Sequence, residues 1–357
     1  MTTAPAYSEK EHRVGLVGLP FWALFDWPMG TPSGFAVFQD PHVNAILKRI
    51  LNEWGRFLQS EKSASVLGTQ PHGWFGPTGK RDLEMAANEA AGTSLKFEEI
   101  FECDPRAKYH GFKSWDDFFT RKFRDGVRPV AAPNRDDVII NACEATPYKV
   151  GYHVEARQRF WLKGQPYSVV DMLAHDKLSE QFIGGTVYQA FLSALSYHRW
   201  HSPVRGQVVK AYVVDGTYYS EPPYTGLEES QEINPEGENY GQEYLSALAT
   251  RALIFIEADN PDIGLICVMP IGMVEVSSCD ITVKEGQRVE KGDEIGMVRP
   301  LVDRCCGEST NYPPKFHFGG STHCVLFRKG LNVKGFPEPG RQSDVPVKSE
   351  LAHVEKG

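Results

Sequence analysis

The chain has 357 residues, which is enough for one large domain or two ordinary domains with a sizeable buried core. Its 41% of hydrophobic and 24% of charged residues are typical of a globular protein and exclude a mainly disordered chain. The 46 acidic residues outnumber the 38 Lys and Arg residues and give a net charge of −8. That balance argues against nucleic acid as a partner, because phosphate binding requires an excess of positive charge.

The N-terminal segment predicts neither secretion nor a membrane anchor. Its longest apolar run, residues 14–25, contains two glycines and a proline and is shorter than the roughly 20 residues that cross a bilayer. Residues 1–13 mix acidic and basic side chains and lead into no cleavage signal. Seven cysteines without framework spacing suit a reducing compartment. We therefore expect a cytoplasmic protein without stable membrane association.

The first ~110 residues have mainly helical periodicity. Apolar residues between Val43 and Leu58 fall on one helical face, with Asp40 as its cap and Pro41 in its first turn. A second helix is predicted over residues 81–91. A third is predicted from the capping box at Ser114 to about residue 126.

From about Val138 the periodicity is that of strands. Residues 208–214 and 217–219 flank Asp215-Gly216, which predicts a β-hairpin. Residues 220–242 predict a long surface loop. Further short strands are predicted over residues 253–256, 263–270 and 273–276, and a small β-sandwich or barrel over residues 276–297.

These patterns predict an α+β fold with two parts. Residues 1–105 form a helical N-terminal region, and residues 106–357 form a β-rich catalytic domain.

Reactive side chains are concentrated in three stretches, and each also has a purely structural interpretation. Residues 316–324, FHFGGSTHC, contain a Gly-Gly-Ser-Thr run that is also typical of a flexible turn. His198 and His201 have the spacing of a metal pair, but two packed surface histidines would look the same. Glu144, in the run NACEA, is either a reactive carboxylate or an edge-strand acid that faces solvent.

Together and in this order, the three stretches resemble the pyruvoyl-dependent phosphatidylserine decarboxylases. That family also carries Phe-Phe-x-Arg followed by Arg-Pro, found here at residues 118–121 and 128–129. The resemblance covers about residues 106–335. It implies that the hairpin at residues 283–296 is similar to biotinyl and lipoyl carrier domains.

The sequence is more similar still to the soluble fungal branch of this family, which decarboxylates L-tryptophan. The shared elements are WGRFL at residues 54–58, FIEADN at residues 255–260 and the Ala-Cys-Glu run that ends at Glu144. The lipid enzymes have Asp at the position of Glu144.

The resemblance implies that the chain cuts itself between Gly320 and Ser321 into chains 1–320 and 321–357. The Ser321 hydroxyl would attack the Gly320 carbonyl, where a glycine relieves crowding. His201 would accept the hydroxyl proton, and Glu144 would orient His201. Elimination and hydrolysis would leave a pyruvoyl group on residue 321.

The pyruvoyl carbonyl is an electron sink for decarboxylation, so pyridoxal phosphate is not required. No metal site is predicted, and a regulatory metal stays an open question. By the same resemblance, His198 is the proton donor to the substrate carbon. The expected partners are a small-molecule substrate and the protein's own cleaved C-terminal chain. The substrate would be a free aromatic L-amino acid, with L-tryptophan converted to tryptamine.

Three alternatives stay open. A phosphatidylserine decarboxylase that makes phosphatidylethanolamine is disfavoured by the negative charge, the missing anchor, and the Glu144 and Gly319 substitutions. A noncatalytic carrier is disfavoured because no lysine lies at the expected hairpin tip, residues 277–280. A pseudoenzyme would follow if residues 298–315, which the family lacks, block self-cleavage. This insert is either a solvated loop or the product of a retained intron.

Overall fold

The structure is a computed structural model that describes residues 20–157, 167–220, 222, 241–297, 321–341 and 343–355. Helices dominate residues 22–119 and antiparallel strands dominate the described residues after them, so the predicted α+β class is confirmed. The α-helices are α1 (Trp22–Met29), α2 (Pro32–Gln39), α3 (Pro41–Gln59), α4 (Pro77–Ala91), α5 (Phe97–Ile100), α6 (Trp115–Phe119), α7 (Val169–Met172) and α8 (Gln242–Leu248).

The first two predicted helices are confirmed with their caps. The Asp40 carboxylate accepts hydrogen bonds from the backbone N–H groups of His42 and Val43 at the start of α3. Helix α4 begins at Pro77, before the predicted start at residue 81. It ends where predicted because Gly92 adopts the left-handed conformation, with φ of 64°.

Helix α6 is shorter than predicted. Its N-terminal cap is confirmed, since Ser114 Oγ accepts a hydrogen bond from Asp117 N at 3.1 Å. The predicted end near residue 126 is wrong, because the helix stops at Phe119. Just beyond it, Arg121 is buried and donates to the Leu195 carbonyl, so the chain leaves the helical path to place this guanidinium in the core.

Antiparallel strands form one large sheet and two small ones. The strands are β1 (Val138–Ile140), β2 (Thr146–Tyr152), β3 (Thr186–Leu192), β4 (Arg199–His201), β5 (Gly206–Val214), β6 (Arg251–Ala258), β7 (Leu265–Ile271), β8 (Asp280–Ile281), β9 (Arg288–Val289), β10 (Glu294–Met297), β11 (Ser321–Phe327), β12 (Val333–Lys334) and β13 (Glu350–Val354). The large sheet has the order β2-β3-β11-β7-β6-β5-β9, and the small sheets have the orders β1-β13-β12 and β4-β10-β8.

The hairpin predicted around Asp215-Gly216 is wrong. Strand β5 pairs with β6 and β9, and Thr217 instead forms a parallel bridge with Ala249. Gly216 is needed for close approach to the end of α8, because a Cβ at this position would lie 2.2 Å from the Leu248 carbonyl oxygen. A glycine that permits close backbone packing and one that makes a turn look the same in sequence.

Two further strand predictions need correction. Residues 273–276 form a tight turn, in which the backbones of Met273 and Val276 exchange two hydrogen bonds. The stretch 276–297 divides between two sheets, since β9 joins β5 whereas β8 and β10 join β4. A carrier-like hairpin is therefore not confirmed.

The predicted loop at residues 220–242 lies largely outside the described residues, as does the insert at 298–315. Residue 242 does not belong to a surface loop, because Gln242 is buried at the start of α8.

The helical layer and one face of the large sheet share a hydrophobic core, in which Phe38 and Leu51 cluster with Ile254 and Val325. The boundary between the helical N-terminal region, residues 1–105, and the β-rich domain, residues 106–357, stays a prediction.

Strand β11 lies inside the large sheet, between β3 and β7, and all seven of its residues are buried. Ser321 pairs with Leu192 of β3, and Thr322 pairs with Ile271 of β7. Side chains alternate between faces along a strand, so Ser321 and His323 share the face that carries Val325 and meets the helical layer. The start of β11 is thus held in register by neighbours on both sides.

Candidate active site

Ser321 is the first residue of β11 and is 3% exposed. Gly320 lies outside the described residues, so the geometry of the predicted scissile bond is not described. The strand that begins at Ser321 is paired with β3 and β7. A cut before Ser321 would therefore leave a new chain terminus fixed within the sheet.

His201, the predicted base, is buried on β4 with both ring nitrogens engaged. Its Nδ1 lies 2.8 Å from the Gly292 carbonyl oxygen, and its Nε2 lies 3.1 Å from the Tyr197 hydroxyl. A carbonyl oxygen only accepts, so Nδ1 carries the proton and Nε2 accepts from Tyr197. Burial lowers the pKa of His201 to about 3, and Lys348 adds to this effect. The ring is a neutral base at pH 7.

Glu144, the predicted orienting acid, does not face solvent. It is 2% exposed, and both carboxylate oxygens accept hydrogen bonds of 2.7 Å from the Arg128 guanidinium. Its Oε2 also accepts from the backbone N–H of Val347. Burial raises the pKa of Glu144 above its usual value, and Arg128 opposes this rise. Arg128 also donates to the Ala87 carbonyl and so connects Glu144 to α4.

The connection between Glu144 and His201 is indirect. The Arg128 guanidinium lies 4.5 Å from the centre of the Phe123 ring, which stacks on Tyr197 at 4.3 Å. Tyr197 in turn donates to His201. Among the described residues, no hydrogen bond joins any two of Ser321, His201, Glu144 and His198. The assignments of these residues to cleavage and decarboxylation stay predictions.

His198, the predicted proton donor, is fully buried. Its Nε2 donates to the Ser193 carbonyl at 3.0 Å, and its ring stacks on Phe119 at 4.0 Å. Burial lowers the pKa of His198 to about 3, and the charge of Arg121 lowers it further. Its Nδ1 has no hydrogen-bond partner within the described part of the chain. A neutral ring with a free lone pair at Nδ1 can accept a proton but cannot donate one there.

The structure also identifies polar residues whose roles were not predicted from the sequence. Arg121 and Arg128 belong to the family motifs, and both position site residues: Arg121 donates to the carbonyls of Leu195 and Ser196, just before His198. His323 is fully buried; burial lowers its pKa to about 3, and a hydrogen bond with the Ala190 backbone opposes this shift. Its spacing of two from Ser321 was the available signal, because alternate residues of a strand share a face.

Two absences hold for the described residues. No group of three or more His, Cys, Asp or Glu side chains there is arranged to hold a metal ion. None of the helices described combines the length and the apolar character that crossing a bilayer demands.

Comparison with known proteins shows the family. One phosphatidylserine decarboxylase family model matches residues 115–300, and a second model of the same description matches residues 1–83. The chain is 41% identical to decarboxylase iboD of Amanita muscaria, over 95% of this chain and 92% of the relative. It is 38% identical to an L-tryptophan decarboxylase of Psilocybe cyanescens, over 91% of this chain and 72% of the relative.

A more distant relative is phosphatidylserine decarboxylase proenzyme 3 of Schizosaccharomyces pombe. It is 29% identical over 64% of this chain, which corresponds to 20% of that much longer protein. The matches to the family models and to relatives over nearly the whole chain show that this protein belongs to the phosphatidylserine decarboxylase family of pyruvoyl-dependent carboxy-lyases.

Proposed function

We propose that this protein decarboxylates a free aromatic L-amino acid, with L-tryptophan as the leading substrate and tryptamine as the product. The observation that carries the proposal is the similarity to an L-tryptophan decarboxylase over 91% of the chain. A match of that length has to include most of the helical layer. The phosphatidylserine decarboxylase of Schizosaccharomyces pombe matches only 64% of the chain.

The first step of the proposal is self-cleavage. The Ser321 hydroxyl attacks the Gly320 carbonyl, and the bond to the Ser321 nitrogen breaks as an ester forms. His201 Nε2 takes the hydroxyl proton, because Nδ1 is already protonated and bound to Gly292. Tyr197 has to release Nε2 for this step, since its hydroxyl occupies that lone pair. Glu144 then acts through Arg128 and the Phe123–Tyr197 stack as a positioning residue.

The surroundings of Ser321 suit a pyruvoyl group at residue 321. The strand that follows is locked between β3 and β7, so the group would be held in place after cleavage. His323 lies on the same face with a buried ring beside the Ala190 backbone, and this ring can bind a polar atom of the group or of its substrate. When present, the group supplies a ketone that withdraws electrons as carbon dioxide leaves.

His198 moves the proton in the second step. Its Nε2–H is held by the Ser193 carbonyl, so only Nδ1 is free to exchange a proton. The ring is neutral, and it therefore has to take up a proton before it can give one. A substrate ammonium carries such a proton. We propose that Nδ1 accepts it and returns it to the substrate carbon after carbon dioxide has left.

Several finer expectations belong to the same proposal. Catalysis needs no added pyridoxal phosphate, and the cleaved C-terminal chain stays bound to the large one. The protein acts in the cytoplasm, which the five free cysteines among the described residues suit. The similarity of residues 283–296 to lipoyl carrier domains rests on the sequence alone and stays part of the proposal.

The test measures the intact mass and the activity of the purified protein. We expect two chains split before Ser321 and conversion of L-tryptophan to tryptamine without pyridoxal phosphate, with inhibition by hydrazine-type carbonyl reagents. The Ser321→Ala variant should remain one inactive chain. The control is Ser179→Ala, which changes a buried serine distant in sequence from Ser321; this variant should be cut and active. Turnover of phosphatidylserine in mixed micelles, with none on free aromatic amino acids, would favour the lipid enzyme instead.

A deletion variant addresses the insert at residues 298–315. The family model ends at residue 300, just inside this segment. Joining Met297 directly to Phe316 restores the spacing of the family. If the insert comes from a retained intron, the complementary DNA lacks its codons and the deletion variant cuts itself faster than the 357-residue chain. Rapid and complete cleavage of the full chain would show that the insert is a tolerated loop.

A further inference from the structure

Asp344 lies in the C-terminal chain, residues 321–357, and its carboxylate binds two hydroxyl groups of the large chain. Its Oδ1 accepts a hydrogen bond of 2.6 Å from Thr146 Oγ1 on β2, and its Oδ2 accepts one of 2.8 Å from Ser196 Oγ. Asp344 is only 9% exposed. Hydrogen bonds to a carboxylate are stronger than those between neutral groups, so Asp344 is a firm point of attachment between the two chains.

Ser196 belongs to the turn at residues 193–196, which leads from β3 towards His198. Ser196 Oγ accepts a hydrogen bond of 3.1 Å from the backbone N–H of Ser193 and lies 3.0 Å from Ser193 Oγ. The Ser193 carbonyl in turn accepts from the Ser196 N–H and lies 3.0 Å from His198 Nε2. The hydroxyl bound to Asp344 therefore closes the turn whose carbonyl holds the His198 ring.

The donor directions along this connection are fixed. A carboxylate only accepts, so the one hydroxyl proton of Ser196 points to Asp344. The lone pairs of Ser196 Oγ are then available to Ser193, which donates through its backbone N–H and its hydroxyl. The Ser193 carbonyl only accepts, so His198 keeps its proton on Nε2 and Nδ1 stays the basic atom. A chain of hydrogen bonds thus connects Asp344 to the tautomer of His198 that the proposed decarboxylation requires.

The turn also lies close to the start of β11. Leu192, the last residue of β3, pairs with Ser321, and the turn begins at the next residue. Arg121 supports the other side of the turn, because its guanidinium donates to the carbonyls of Leu195 and Ser196. Loss of the Asp344 side chain should therefore shift the turn without collapsing it.

The backbone around Asp344 is held independently of its side chain. Ala145 and Val345 exchange two backbone hydrogen bonds, and the Val347 N–H donates to Glu144 Oε2. These contacts remain when the Asp344 carboxylate is removed. A variant at this position should therefore keep the C-terminal segment in place beside Glu144.

We propose that Asp344 is a positioning residue for decarboxylation, which acts through Ser196 and the 193–196 turn to orient His198. The inference rests on the proposed function and names a further residue of the same site. The C-terminal chain then contributes twice to the reaction. It carries the pyruvoyl group at residue 321, and it supplies the carboxylate that orients the histidine which moves the proton.

The test measures cleavage on a denaturing gel and steady-state kinetics per cut chain. Asp344→Ala should be cut as completely as the starting protein. Its kcat for L-tryptophan should fall about tenfold to a hundredfold, as expected for a misplaced acid–base group. The KM should stay nearly unchanged, because the change affects a proton transfer. Asp344→Asn keeps an acceptor oxygen and should lose less. Glu338→Ala removes an exposed carboxylate of the same C-terminal chain and should match the starting protein.

Two further measurements distinguish positioning from a general structural role. Ser196→Ala should reproduce the loss of kcat, and the double variant Asp344→Ala/Ser196→Ala should lose no more than the larger single loss, because both changes remove one hydrogen bond. The His198 Nε2–H proton should exchange faster with solvent in all three variants. NMR of the protein with isotope-labelled histidine measures this exchange, and His198→Ala identifies the signal.

The outcomes separate the inference from the proposed function. Turnover of L-tryptophan with unchanged kcat and proton exchange in the folded variants contradicts the inference alone, as do additive losses in the double variant. Asp344→Asn and Ser196→Ala give independent results if Asp344→Ala does not fold. A starting protein that decarboxylates no aromatic amino acid contradicts the proposed function. Faster exchange of the His198 proton in the Asp344 variants would in that case still support the connection through Ser196.

Discussion

Two regions of the molecule are built in different ways. The processing region consists of His201, Tyr197, Glu144 and Arg128, which are held by hydrogen bonds and a buried ion pair. The small cavity between the helical layer and the large sheet is lined mainly by apolar and aromatic side chains that come from widely separated parts of the chain. Polar groups with fixed directions suit proton transfer at defined atoms, whereas apolar side chains stabilise the contact between the two layers.

This difference separates the two regions experimentally. Changes in the processing region should affect whether the chain is cut, whereas changes in the cavity wall should affect mainly the free energy of unfolding. A cavity-wall variant that folds normally but is not cut would contradict the division.

The largest effects are expected at the two histidines. His201→Ala should prevent cleavage, because the Ser321 hydroxyl loses its base. His198→Ala should still be cut but should decarboxylate 10²- to 10⁴-fold more slowly, the range typical of lost acid–base catalysis. Both are measured as the fraction of cut chain on a denaturing gel and as tryptamine formed per cut chain.

His353→Ala is the control for these variants, since His353 lies on β13 with a partly exposed side chain. It should be cut and active. Equal loss of cleavage and turnover in the His198 and His201 variants would contradict the assignment of separate roles.

A second prediction concerns the buried ion pair of the processing region. Arg128→Met leaves the Glu144 carboxylate buried without its guanidinium, which typically costs about 3–5 kcal/mol of the free energy of unfolding. Cleavage should also slow, because Tyr197 loses part of its support through Phe123. Arg135→Met breaks an exposed pair with Asp137 and should leave the free energy of unfolding nearly unchanged. Denaturant unfolding of the two variants measures the difference, and equal costs would contradict it.

The sequence predicts the processing region better than it predicts the cavity. Ser321, His201, His198 and Glu144 belong to short motifs that depend on residue identity, so a single chain is enough to find them. The hydrogen bonds of these residues could not be predicted. The Gly292 carbonyl that accepts a hydrogen bond from His201 is distant in sequence, and glycine has no side chain that would indicate a role.

The cavity could not be predicted for a related reason. Met29, Tyr219 and Met273 are ordinary core residues by sequence pattern, and only the packing of α1 on the turn after β7 brings them together. The fold shows the same limit. Helix caps are local and were predicted, whereas the partner of β5 depends on a distant strand and was predicted incorrectly.

The smallest expected effect tests how the helical layer is fastened above the cavity. Glu275 is buried, and burial raises the pKa of its carboxyl from 4.5 to about 7, against the opposing hydrogen bonds from Trp22 and Phe21. Between pH 4.5 and pH 7 the folded protein keeps this proton while the unfolded chain releases it. The free energy of unfolding therefore falls as pH rises through this window, by up to about 3 kcal/mol from this group.

Glu275→Gln removes that titration and keeps an acceptor for the α1 N–H groups. Its denaturant midpoint should therefore fall less between pH 5 and pH 8 than the midpoint of the starting protein does. Glu53→Gln, at an exposed position on α3, is the control and should follow the starting protein. If Glu275→Gln and the starting protein have parallel pH profiles, Glu275 does not titrate in this range. In that case the helical layer is held above the cavity by a carboxylate that stays charged.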